Sequence, residues 1–121
     1  MTVCAIRGAT CLQADDADEM AVAVAELVER MLADNHLSAD ELISVLLTCT
    51  PDLHSAFPAA GARRVPGMSD VPLMCAQELD VAGALPRTVR ILMHAHGQKP
   101  RGEVVHVFLR GAQVLRPDLA T

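Results

Sequence analysis

The sequence predicts an α/β (α+β) fold: a small mixed β-sheet of about five strands, carrying one long helix and one or two short ones. Three observations lead there. Apolar residues recur at helical spacing between Asp16 and Asn35. Elsewhere, short runs rich in β-branched and apolar residues are separated by Gly and Pro, the pattern of strands closed by turns. Finally, 51% of the 121 residues are apolar but only 2% are aromatic. One domain of this length can bury a real core, and aliphatic side chains must supply nearly all of its packing.

The first strand is expected over Val3 to Leu12, with a bend or a close backbone approach at Gly8. Asp16 then reads as a helix N-cap with Glu19 three residues on, and Met20, Val24, Leu27, Val28 and Met31 form one apolar stripe until Asn35. Ser38-Ala39-Asp40-Glu41 repeats the capping pattern but leads into Ile43 to Thr50, whose β-branched run suits a buried strand after a single helical turn. Pro51 stops it. Phe57-Pro58 opens a short helix running toward Arg64, with proline at the first helical position, and Pro66-Gly67 closes it. Val71 to Ala76 reads as a strand, Gly83 to Pro86 as a loop and Thr88 to His96 as a strand ended by Gly97. A last strand is expected over Val104 to Leu109, followed by a turn at Arg110-Gly111, the segment Ala112 to Leu115 and a tail from Arg116 to Leu119.

Composition narrows the function classes. The formal charge of -5 and a pI near 5.4 argue against a general nucleic-acid binder, which carries a basic stripe. The N-terminal residues lack a signal-like pattern, and no apolar stretch approaches the ~20 residues that span a bilayer. A soluble, cytoplasmic protein without membrane partners is expected. Cys4, Cys11, Cys49 and Cys75 have no CxxC spacing and lie in apolar or strand-like runs, where a free thiol behaves as a small hydrophobe. Five strands with a single long helix leave sheet edges and part of a face uncovered, so association is expected on physical grounds.

No phosphate loop, nucleophile elbow or metal-spaced Cys/His cluster is present. His94 and His96 would share one side of a strand, but no third ligand is visible, and polar residues at a solvent-facing strand end are the simpler reading. His36 and His54 read as helix-terminal and turn residues. Arginine remains. Arg7 and Arg90 sit in otherwise apolar strands, where a guanidinium is costly unless it is paired or faces a polar cavity. Two explanations stay open: salt bridges to Glu78 or Asp80, which spacing alone favours, or a pocket in which arginine grips a carboxylate ligand in bidentate fashion.

Along nearly its whole length the chain resembles the AroH-class chorismate mutases. The matching stretches are Ile6-Arg7-Gly8-Ala9-Thr10, Thr50-Pro51-Asp52-Leu53-His54 with Ala56-Phe57-Pro58-Ala59, Val71-Pro72 followed by Cys75-Ala76-Gln77-Glu78, the strand around Arg90, and His106-Val107 through Val114-Leu115-Arg116-Pro117-Asp118-Leu119. Five stretches in order are far more specific than any one of them. The resemblance implies a homotrimer with pseudo-α/β-barrel packing, active sites between subunits, and the cofactor-free rearrangement of chorismate to prephenate in aromatic amino-acid biosynthesis. It implies Arg90 as the cation at the ether oxygen, Arg7 as a carboxylate ligand, and Glu78 with the Cys75 region at the ring hydroxyl. Phe57, Ala59, Leu73, Met74 and Leu115 would be apolar walls, with Arg63 and Arg116 as positive charge at the mouth.

Two departures stand out: Phe108 where the family commonly has Tyr, and Ala60 where it commonly has Lys. Each removes a polar contact to a dianion. Two other functions therefore remain consistent with the residues: a non-catalytic ligand-binding trimer of the same fold, and an enzyme acting on a related enolpyruvyl or cyclohexadiene acid.

Overall fold

The computed structural model describes residues 2–116. Five strands, β1 (Val3–Cys11), β2 (Leu42–Cys49), β3 (Leu73–Gln77), β4 (Thr88–His96) and β5 (Val107–Leu109), form one mixed sheet in the order β3-β2-β4-β1-β5. The central pairs β1/β4 and β2/β4 are antiparallel, and the edge strands β3 and β5 pair parallel to β2 and β1. Helices α1 (Ala17–Asp34) and α2 (Pro58–Ala62) pack against each other and on one face of the sheet. Short 3-10 turns lie at Ala39–Glu41, Met68–Asp70, Arg101–Glu103 and Ala112–Leu115.

Helix α1 starts where the capping pattern placed it. The Asp16 carboxylate accepts the Glu19 N–H at 2.8 Å, while the Glu19 carboxylate reaches back to the N–H groups of Gln13 and Ala14 at 2.7 and 3.2 Å. Its stripe of Met20, Val24, Leu27, Val28 and Met31 is wholly buried against Ile6, Leu47 and Met93 of the sheet. Gly8 is the close approach anticipated in β1, since a Cβ there would lie 2.4 Å from the Met31 Sδ.

Two strand starts differ from expectation by more than one residue. The edge strand β3 begins at Leu73 rather than Val71, because the Val71 N–H is taken by the Met68 carbonyl in closing a 3-10 turn. The last strand begins at Val107 rather than Val104. There the side chain of Asn35, at the end of α1, accepts the Val105 N–H and donates to the Val105 carbonyl, both at 2.8 Å. Those backbone groups are satisfied without a ladder, so pairing with β1 starts only at Gly8–Val107.

The helices cover one face. On the other, alternation lines up Ala5 and Arg7 of β1, Ser44, Leu46 and Thr48 of β2, Met74 and Ala76 of β3, and Arg90, Leu92 and His94 of β4, all partly or fully exposed. At the β5 end this face carries its own small cluster of Ala9, Phe108 and Ala112, with Cys11 and Leu115 against it.

Candidate active site

Register places the two strand arginines together. Arg7 lies opposite Leu92 and Arg90 lies opposite Ala9, so the two are a diagonal pair on adjacent strands, about 7–8 Å apart at Cα by standard sheet geometry. They face a cleft of about 270 Å³ whose other walls are Thr48, Leu46, Leu92 and Phe108. Among the described residues the Arg7 side chain has no carboxylate partner.

Arg90 has one. Its Nε–H donates to the Glu78 Oε1 at 3.1 Å, and the Thr48 hydroxyl donates to the Glu78 Oε2 at 2.7 Å. Glu78 itself is anchored by its backbone N–H to the Cys49 carbonyl at 2.9 Å, one residue beyond β3. The salt bridge does not exclude a ligand pocket: Arg90, while paired with Glu78, also lines the cleft. With Nε held by Glu78, the terminal N–H groups of the Arg90 fork remain for a ligand. Glu78, not Asp80, is the partner.

A second cleft of about 460 Å³ lies at the β3 edge, lined by Cys49, Cys75, Ala76 and Gln77 below and by the loop from Thr50 to Pro58 above. Phe57 is 76% exposed at its mouth. The loop is pinned by Asp15, which accepts the N–H groups of His54 and Ser55 at 3.0 Å and pairs with His54 Nδ1 at 3.1 Å. Burial pushes the Cys49 thiol up to about 12, with the neighbouring Cys75 and Glu78 adding to the effect. A thiol so shifted is not a nucleophile at neutral pH.

The site residues read from the sequence fall into groups. Arg7, Arg90 and Phe108 share the smaller cleft, with Glu78 attached through Arg90 and Thr48. Phe57 and Cys75 share the larger one. Met74 is exposed on the open face, Leu73 is half-buried against the core, Arg63 is exposed at the end of α2, and Leu115 packs beside the Phe108 cluster. Ala59 lies on the buried side of α2, in the core, and lines neither cleft. Arg116 is half-buried near His106. The remainder of its tail motif, Pro117-Asp118-Leu119, lies outside the described residues. His94 is within 3.5 Å of the Ser44 hydroxyl. Among the described residues no group of three His, Cys, Asp or Glu side chains could hold a metal.

Sequence patterns do not single out Thr48 or the His106 ring. Alternation along β2 puts Thr48 on the same face as Leu46, but only the parallel register with β3 brings it to Glu78. His106 accepts the backbone N–H of Arg7 on its Nδ1 at 2.9 Å, a contact spanning 99 residues that no local pattern reveals.

Comparison with known proteins places the whole chain in one family. The family described as chorismate mutase type I matches residues 3–119. The chain is 38% identical over 120 residues to chorismate mutase AroH of Bacillus subtilis, covering 99% of this chain and 94% of that protein. It is 45% identical over 115 residues to chorismate mutase AroH of Thermus thermophilus, covering 94% and 93%. A solved chorismate mutase from Clostridium thermocellum superposes with a TM-score of 0.88 at 40% identity, covering 92% of this chain and 98% of that one. With its fold, its paired arginines and its near full-length matches, the chain belongs to the type I, AroH-class chorismate mutases.

Proposed function

We propose that residues 1–121 act as a single domain catalysing the rearrangement of chorismate to prephenate, at the entry to the phenylalanine and tyrosine branch of aromatic amino-acid biosynthesis. The observation that carries this reading is the cleft in which Arg7 and Arg90 converge while Glu78 is held rigidly beside Arg90. The reaction is unimolecular: an ether C–O bond breaks as a C–C bond forms. No proton is transferred and no cofactor is called for. What the protein has to supply is a fixed conformation of a flexible dianion and positive charge where the breaking bond becomes negative.

The residues match those needs. Arg7 binds a carboxylate. Arg90 meets the ether oxygen and a carboxylate with the N–H groups that Glu78 leaves open, and its aim is set by the Glu78 and Thr48 contacts. Glu78 retains lone pairs to accept the ring hydroxyl without acting as a base. Phe108 and Leu115 close the apolar end.

Homotrimerisation completes the site in this reading. The Phe57 cleft lies beyond β3 and Phe108 lies on β5, at opposite edges of the sheet. Four strand spacings separate β3 from β5, roughly 19 Å, more than a substrate of this size spans. Phe57 and Arg63 therefore reach the Arg7–Arg90 cleft from a neighbouring subunit, with Met74 and Cys75 beside them and Ala59 and Leu73 packed behind in that subunit's own core, while Arg116 adds charge at the mouth. The uncovered sheet face supports association of this kind. No helix among the described residues is long and apolar enough to cross a membrane, which fits the cytoplasmic placement expected of a biosynthetic enzyme.

The direct test follows the loss of chorismate absorbance, and the appearance of prephenate, with purified protein. Absence of turnover in a correctly folded sample overturns the reading. Mixing inactive Arg90 and Arg63 variants tests the shared site: partial recovery of activity is expected if the two side chains come from different chains.

A further inference from the structure

His106 has no role in the reaction as described, yet its ring is fastened to Arg7. It lies one residue before the β1/β5 ladder begins, where a backbone carbonyl would ordinarily receive the Arg7 N–H, and its Nδ1 takes that hydrogen bond at 2.9 Å. A ring nitrogen that accepts an N–H must be unprotonated, so the contact exists only with the neutral imidazole. The surroundings favour that form. Burial first, then the charges of Arg7 from β1 and Arg116 from the C-terminal stretch, hold the His106 pKa below its ordinary value. The end of α1 presents the neutral Asn35 amide, bound to adjacent Val105.

We infer that His106 is a positioning residue for Arg7: its neutral Nδ1 fixes the Arg7 backbone and so aims the guanidinium into the cleft, and its protonation sets the acid limit of substrate capture. This rests on Arg7 as a carboxylate ligand. The sign follows from the bond. Below the ordinary histidine range the ring gains a proton on Nδ1, two donors then face each other, and β1 is released from its anchor at the residue that must point most accurately. Substrate binding weakens although the added charge, taken alone, would attract a dianion.

The test uses three versions of the intact protein. In the wild type, kcat/KM is expected to be level from the ordinary histidine value upward and to fall only at lower pH, as the ring gains its proton. His106→Leu removes the acceptor and should raise KM at pH 7.5 by roughly tenfold, the worth of one hydrogen bond, with a much smaller change in kcat. His106→Asn offers an amide oxygen near the Nδ1 position that does not titrate; it should restore most of what His106→Leu loses and move the acid fall to lower pH. An Asn variant with the wild-type acid limb, or a Leu variant with lower thermal stability but unchanged KM, overturns the proposal. An independent reading comes from NMR of the substrate-free protein, in which the Arg7 amide should shift with the same midpoint as the His106 ring. Separate midpoints overturn the inference even if chorismate is turned over, and a shared midpoint supports it even if it is not.

Discussion

At the scale of single residues, the Arg90–Glu78 contact raises the question of whether the pair holds the fold or serves the substrate. The Arg90 side chain is 42% exposed and that of Glu78 14%. Ion pairs this open contribute about 0–1 kcal/mol to stability. A preorganised donor at a developing oxyanion contributes about 10²–10³ in kcat, and a full charge in a closed site more. In the proposed mechanism the pair therefore matters more to the reaction than to the fold. Replacing Arg90 by citrulline is expected to keep the unfolding midpoint nearly unchanged and to lower kcat by at least that factor. Arg90→Lys should also fail, because a compact ammonium cannot pair with Glu78 and span ether oxygen and carboxylate together. An unchanged kcat with a lowered midpoint would remove Arg90 from the mechanism. Phe108 gives a milder test. Its ring is buried yet borders the same cleft, so Phe108→Tyr is expected to lower KM by supplying a hydroxyl to a substrate carboxylate, and a large loss of kcat would show that the added oxygen disturbs the packing instead.

At the scale of elements, helix α1 is legible in the sequence because its information is local: a cap, a 3.6-residue period and a stop. The start of β5 is not legible, because Asn35 intercepts the backbone of Val105 from 70 residues away. For the same reason the arginines can be picked out as charges in apolar strands, while Thr48, whose role depends on the β2/β3 register, cannot. Junctions between elements carry two further predictions. Gly61 lies where α2 crosses α1, and an added Cβ would meet Val24 Cβ at 2.9 Å and the Ala21 carbonyl at 3.0 Å. Gly61→Ala would gain about 1 kcal/mol of helix propensity, but overpacking against a helix backbone costs about 1–3 kcal/mol. A net loss of stability by thermal or denaturant unfolding is expected. Asp52 joins the end of β2 to the start of β4, accepting the Arg87 N–H at 2.9 and 3.1 Å and the Thr50 hydroxyl at 2.6 Å. Desolvation acts upward on its carboxyl, but the donors Thr50 and Arg87 outweigh it, and its pKa lies below 3.8. The unfolded chain thus binds the proton more readily, so this contribution is present above the unfolded value and is lost as pH falls through the folded one. Asp52→Asn should lower the midpoint at pH 7 and make the acid limb below about pH 4 less steep.

For the whole molecule the tension is between a sheet with one dry face and a second face that still displays apolar side chains. Leu46, Leu92 and Met74 form an apolar strip across the open face, flanked by Ala5 and His94 in the next row. An isolated chain would leave that strip in water beside the arginine cleft. A trimer that buries it gains hydrophobic stabilisation and at the same time brings a second chain to the cleft, so assembly and activity should rise and fall together. Ala5 is the place to separate the two effects, being exposed, opposite His94 and outside both clefts. Ala5→Glu is expected to introduce a carboxylate into the face that the proposed trimer would bury, at a cost that dissociates such a trimer at micromolar concentration. Sedimentation should then report a smaller species, and specific activity should depend on protein concentration, recovering as the protein is concentrated. If Ala5→Glu leaves both the mass and the activity of the wild type unchanged, this face does not form the subunit contact, and the Phe57 and Arg63 side chains cannot reach the cleft by the route proposed here.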